Sequence, residues 1–143
     1  MVACFQYHEH RIDKALVIRD TDRKDPQTLE ADLKDRLKKS SFRPTFPVHF
    51  YATRRTVETW LLADERALGK VALGRGRTRS IKSVNTLLEE IIDPKTLFLK
   101  MLSEADLSAD DKVNADIAYE ADLVRIAERC PHFYEFRELV HAC

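Results

Sequence analysis

The chain has 143 residues, 44% of them apolar, which suffices for a core, while 34% charged residues and only 3 glycines favour a helix-rich protein. With 24 basic and 24 acidic side chains the formal charge is zero, which excludes a global field drawing the chain to nucleic acid or to a membrane; any such attraction must be local. The cysteines, Cys4, Cys130 and Cys143, form no C-x-x-C pair, so neither a disulfide framework nor a zinc knuckle is indicated.

Residues 1–8 lack a basic leader region and a long apolar run, and no uncharged stretch is long enough to span a bilayer, so the expected location is the cytoplasm, without a membrane partner. Ala15, Leu16, Val17 and Ile18 read as a buried strand that runs into Arg19-Asp20-Thr21-Asp22. Leu29, Leu33 and Leu37 then repeat among charges over 28–39, an amphipathic helix capped near Asp25 with Pro26 in its first turn. Residues 48–52 read as a second strand. Strand, helix and strand in this order make a right-handed crossover unit with parallel strands.

From Thr56 the helical period takes over, with Val57, Trp60, Leu61, Leu62 and Leu68 on one face and Glu58, Asp64, Glu65 and Arg66 available to solvent. A basic loop over 74–80 precedes helices expected at 84–92, 94–104, 110–129 and 133–141, the third of them starting at Asp110-Asp111-Lys112. The fold class is therefore α/β: a partial parallel sheet of few strands followed by a mostly helical C-terminal half. It reads as one domain over 1–143, an α/β part over 1–65 and a helical part over 66–143. Two parallel strands alone do not make a stable sheet, and too little chain precedes Lys14 for another strand and crossover helix. The domain is thus expected to be N-terminally incomplete, or completed by a partner chain, a homo-oligomer included.

Open α/β sheets place their chemistry at the carboxyl ends of the strands, where Asp20 and Asp22 fall. Two apart in extended chain, they point to the same side, and hard oxygen ligands converging there suit Mg²⁺ or Mn²⁺. An Asp after a strand equally well makes a turn. Glu58, at a helix start after the second strand, supplies a third carboxylate at that edge or simply complements the helix dipole. Residues 66–82 carry Arg66, Lys70, Arg75, Arg77, Arg79 and Lys82 without an acid, and Arg54-Arg55 leave the second strand; such a set can grip nucleic-acid phosphates or remain a solvated loop. His8 and His10 form a metal pair only if extended. Trp60, Phe133, Tyr134 and Phe136 lie on helical patterns and read as core. No Ser-His-Asp order, Walker A loop or G-x-G-x-x-G occurs, so acyl transfer, ATP binding and dinucleotide binding lack support.

Four segments taken together, Val17-Ile18-Arg19-Asp20-Thr21-Asp22, Glu58-Thr59-Trp60-Leu61-Leu62-Ala63-Asp64, Asp93-Pro94-Lys95 and Cys130-Pro131-His132-Phe133-Tyr134-Glu135-Phe136, resemble the small TOPRIM-like proteins, a domain of unknown function that accompanies OLD-type and related ABC-type ATPases in prokaryotic defence loci. The resemblance runs from about Lys14 to the C-terminus. It implies a Mg²⁺-dependent nuclease that cuts phosphodiesters, with DNA as the expected nucleic acid and an ATPase as partner. It makes Asp20 and Asp22 the metal positions and Asp20, Asp22 and Glu58 the catalytic acids; the basic segments themselves supply Arg54, Arg55, Arg75, Arg77 and Arg79 as the expected nucleic-acid contacts. The family's first Glu precedes the D-x-D strand by more than the nineteen residues available here, so an upstream element is expected to be missing. That gap leaves a second reading, an inactive adaptor subunit of an ATPase complex. A third, a haloacid-dehalogenase-like phosphatase, would make Asp20 the nucleophile and Asp22 the general acid, but Arg23-Lys24 stand where that motif has Gly-Thr.

Overall fold

A computed structural model describes residues 12, 14–21, 24–78 and 80–141. Asp22, Arg79, His8, His10, Cys4 and Cys143 lie outside the described residues. The order is β1 (Ala15–Asp20), α1 (Pro26–Lys39), β2 (Val48–Thr53), α2 (Glu58–Ala63), α3 (Glu65–Gly74), a 3-10 turn at Leu88–Glu90, α4 (Pro94–Glu104), α5 (Asp111–Glu120), α6 (Leu123–Arg129) and α7 (Pro131–His141). The fold is α/β, a parallel pair of strands followed by helices.

Helix α1 begins where its chemistry dictates: Asp25 Oδ2 accepts from the Thr28 amide and hydroxyl, both at 2.8 Å, and Pro26 occupies the first turn, where no amide hydrogen is needed. The helix buries Leu29 and packs on β2. Strands β1 and β2 pair in parallel from Ala15 opposite Val48 to Asp20 opposite Thr53, so both carboxyl ends finish level. On the far side of β2, Glu30 Oε1 of α1 accepts from the Ala52 amide at 3.1 Å. Strand β1 is less buried than its apolar run suggests. Ala15 is covered, but Val17 and Ile18 are 36% and 45% exposed, because among the described residues β2 is the only strand beside it.

The core is mainly helical, built from Leu62, Leu68, Phe98, Leu102, Val113, Ile117 and their neighbours. Aromatic side chains join it to the sheet: Tyr51 of β2 meets Phe136 at a ring-centroid distance of 5.3 Å, and Trp60 stacks on Phe136 at 4.9 Å and meets Phe133 edge-on at 5.1 Å. Tyr134, expected in the core, is 49% exposed and carries the Arg137 guanidinium over its ring. Helix α7 is also tied to the residue before β1, since Lys14 Nζ donates to the Leu139 and Val140 carbonyls at 2.9 and 3.1 Å, capping that helix end with positive charge.

Two helices expected from periodicity differ in the structure. Residues 84–92 hold only the short 3-10 turn; the segment otherwise runs irregularly, Arg129 Nη2 donates to the Val84 carbonyl, and Leu87 and Ile92 are 67% and 73% exposed despite fitting a helical stripe. Residues 110–129 form two helices, because Asp122 Oδ1 accepts from the Val124 and Arg125 amides and so caps a new helix. Asp110 does cap α5, accepting from the Val113 amide at 2.8 Å.

Candidate functional site

The carboxyl ends of β1 and β2 carry Asp20 and Thr53 side by side. Asp20 Oδ1 accepts from the Val57 amide at 3.1 Å and lies 3.1 Å from the Thr53 hydroxyl. That hydroxyl is also 3.1 Å from the Arg55 carbonyl, so its single proton serves one acceptor at a time. The Val57 amide belongs to the residue before Glu58, so Asp20 holds the start of α2 against the strand end, and Glu58 enters at the sheet edge expected for it.

Beside Asp20 opens a cleft of about 280 Å³ lined by Thr21, Lys24, Pro26, Arg54, Arg55, Glu89 and Glu90. Thr21 is buried, its hydroxyl 3.4 Å from the Arg55 carbonyl, and its own carbonyl accepts from the Lys24 amide at 2.8 Å. Lys24, Arg54 and Arg55 form no ion pair with a carboxylate among the described residues. Three cations thus face one small cleft at the strand ends. Glu89 is already engaged: its Oε1 accepts from the His132 amide at 2.9 Å, and its Oε2 lies 2.7 Å from His132 Nδ1. His132 Nε2 lies 3.1 Å from Arg54 Nη1, and the His132 carbonyl accepts from the Tyr51 hydroxyl.

Of the basic residues further along, Arg75 and Arg77 stand away from this cleft. Arg75 Nη2 is 2.6 Å from Asp116 Oδ2 and Arg77 Nη1 is 2.9 Å from Asp106 Oδ2, so both are paired with acids of the helical half. Lys70 likewise meets Glu120 at 3.4 Å.

Asp64 and Glu65, expected at the surface, are 2% and 6% exposed. Helix α2 ends at Ala63, and Asp64, with non-helical backbone angles of φ -125° and ψ 77°, breaks the run into α2 and α3. Asp64 Oδ2 accepts from the Asp122 amide at 3.0 Å, and its Oδ1 accepts from Arg66 Nε at 3.0 Å. Glu65 Oε1 accepts from the Ser83 hydroxyl at 2.9 Å and Arg125 Nη2 at 2.8 Å, while Oε2 takes Arg129 Nη1 at 2.6 Å. Arg129 Nη1 also donates to the Ala63 carbonyl at 2.7 Å, satisfying a group the helix break exposes. Burial pushes both carboxyls up, but hydrogen bonds and the arginines outweigh it and hold each below the ordinary carboxylate value. The amphipathic pattern placed these acids outside because it has no register for a partner 60 residues away. This cluster is structural in character: every carboxylate oxygen in it is occupied by protein donors.

Among the described residues no group of three or more His, Cys, Asp and Glu side chains is arranged to hold a metal ion. Mg²⁺ needs less, since one or two carboxylates with water and substrate phosphate complete its shell. Asp20 is a ligand of the right kind, a hard oxygen donor whose carboxylate is oriented by hydrogen bonds from Thr53 and Val57. Reading the sequence missed Glu89 and His132. The Pro-His pair opening α7 was visible, but nothing local pointed to a glutamate 43 residues upstream. Comparison with family models, with curated proteins and with solved structures gives no match.

Proposed function

We propose that this protein binds the phosphate backbone of DNA at the carboxyl ends of β1 and β2 and cleaves phosphodiester bonds there with Mg²⁺ or Mn²⁺, working beside an OLD-type or ABC-type ATPase. One observation carries the reading: an oriented carboxylate, Asp20, stands next to a cleft faced by Lys24, Arg54 and Arg55. The cations position a polyanion without reading its sequence. Asp20, with Asp22 as the expected second ligand, holds the metal, and Glu58 adds negative charge at the same edge. The ion, when bound, offsets charge on the scissile phosphate and lowers the pKa of a bound water. The ATPase partner and the defence setting rest on the TOPRIM-like resemblance.

The test is cleavage of single- and double-stranded DNA with Mg²⁺ or Mn²⁺ by the wild type and by Asp20→Asn. Loss of a metal-ligating charge should lower the rate by at least about 100-fold. Equal cleavage by both proteins overturns the assignment. The same Asp20 hydrogen bonds favour a second reading, since they fasten α2 to the sheet: an adaptor that docks on an ATPase. Copurification with an ATPase together with no metal uptake by calorimetry would select the adaptor.

A further inference from the structure

Arginine has no acceptor, so the contact between Arg54 Nη1 and His132 Nε2 fixes the imidazole: Nε2 offers its lone pair, and the ring proton sits on Nδ1, where it donates to Glu89 Oε2. Glu89 also takes the His132 amide, and Tyr51 takes the His132 carbonyl, so residue and ring are both held in place. A carboxylate behind Nδ1 with the Nε2 lone pair presented forward is the arrangement of a general base. His132 is not itself among the residues that line the cleft; between its Nε2 lone pair and the cleft stands Arg54, one of the three cations that face it.

We propose that His132, oriented by Glu89, is the proton acceptor and donor of this cleft, and that a phosphate ester entering it draws Arg54 off Nε2, uncovering that nitrogen for the ligand. The argument rests on the phosphate-binding role proposed above for the cleft. A phosphate oxygen is a better acceptor for a guanidinium than a neutral imidazole, because the bond is then charge-assisted at both ends. The substrate itself therefore unmasks the base, and Arg54 keeps Nε2 covered until an anion is present. Both oxygens of Glu89 face His132, while Glu90 also lines the cleft, so an entering phosphate meets the three cations beside one further acidic side chain. In the hydrolytic step, Nε2 takes a proton from water as the water oxygen bonds to phosphorus. The bond from phosphorus to the leaving oxygen breaks with its electron pair, and the imidazolium returns a proton to that oxygen.

Two measurements test this. In ¹⁵N-histidine NMR of the whole protein, His132 should show the Nδ1–H tautomer, and saturation with inorganic phosphate should move the Nε2 resonance while Nδ1 stays bonded to Glu89. In Arg54→Ala that movement should be lost or much reduced. In the DNA cleavage assay, His132→Gln should lower kcat by about 100-fold or more and remove the acid limb of the pH profile, with a smaller loss for Glu89→Gln. A contact that only braces α7 would change the melting temperature and leave the profile intact. The proposal is overturned if Nε2 does not respond at saturating phosphate, or if Asp20→Asn abolishes cleavage while His132→Gln keeps the wild-type rate and pH profile. If the wild type cleaves no DNA, the phosphodiesterase reading falls and the proton-transfer role of His132 falls with it, while the NMR titration still decides whether phosphate draws Arg54 off Nε2.

Discussion

Replacing Glu65 by Gln keeps the size of the side chain and removes its charge from a nearly closed site. Glu65 is 6% exposed and accepts from Ser83, Arg125 and Arg129 at 2.6 to 2.9 Å. Hydrogen bonds to charged groups contribute about 1.5–3 kcal/mol each, and breaking a fully buried pair costs about 3–5 kcal/mol. The arginine side chains are 30% and 21% exposed, so both can turn partly to water, and Arg125 Nε already lies 3.4 Å from Asp64 Oδ1. The expected loss is therefore about 2–3 kcal/mol, a large share of the roughly 5–15 kcal/mol typical of a domain. In urea, with a slope of about 2 kcal/mol/M, the midpoint should fall by about 1–1.5 M at unchanged slope.

The effect should also depend on pH. The folded state holds the Glu65 carboxyl below its ordinary value, so its stabilisation is complete above the unfolded value of about 4.3 and fades as pH falls through the folded one. The gap between wild type and Glu65→Gln should then narrow below about pH 4. A midpoint shift under about 0.3 M at neutral pH, with the slope unchanged, would refute the reasoning and make the cluster a surface feature.

Three further outcomes are expected. Cys130 is fully covered, and burial, with help from the Glu89 charge and against Arg129, pushes its thiol up to about 12. In a Cys4→Ser, Cys143→Ser background it should react with a disulfide reagent only on unfolding, and labelling of the native protein at an ordinary thiol rate would contradict that burial. The Arg75 and Arg77 pairs with Asp116 and Asp106 are solvent-accessible, so the double variant Arg75→Gln, Arg77→Gln should shift stability by less than about 1 kcal/mol. If the two arginines exchange these acids for DNA phosphates, the same variant should lower the salt slope of DNA binding by about two; an unchanged slope removes them from the interface.

Local chemistry made several elements of the fold legible. The Asp25-Pro26 start of α1, the apolar runs of β1 and β2 and the Asp110 cap all act over a few residues, and all are where the sequence puts them. Two of the failures share a cause, partners far along the chain, whereas the break within 110–129 comes from the local Asp122 cap. Residues 84–92 have a helical stripe, yet the Val84 carbonyl is taken by Arg129 and Glu89 by His132, partners about forty residues downstream. Asp64 and Glu65 lie on the polar side of a helical wheel, but arginines of α6 reach over and enclose them. The candidate site divides in the same way. Asp20 could be located from the strand that ends there, whereas the pairing of His132 with Glu89 exists only once α7 has docked.

That docking sets an order on folding. Tyr51 waits for His132, 81 residues further on, and Lys14 waits for Leu139, 125 residues on, whereas the helix pairs α3 with α5 and α6 with α7 are closer in sequence. Closing long loops is slower than closing short ones, so the helical half can assemble while the strand pair is still uncovered. During translation the aromatic face of Tyr51 and Trp60 is complete long before Phe133 and Phe136 emerge to cover it. For that interval the nascent chain carries an open apolar surface beside an uncovered strand pair, which is where chaperone capture or premature association would act.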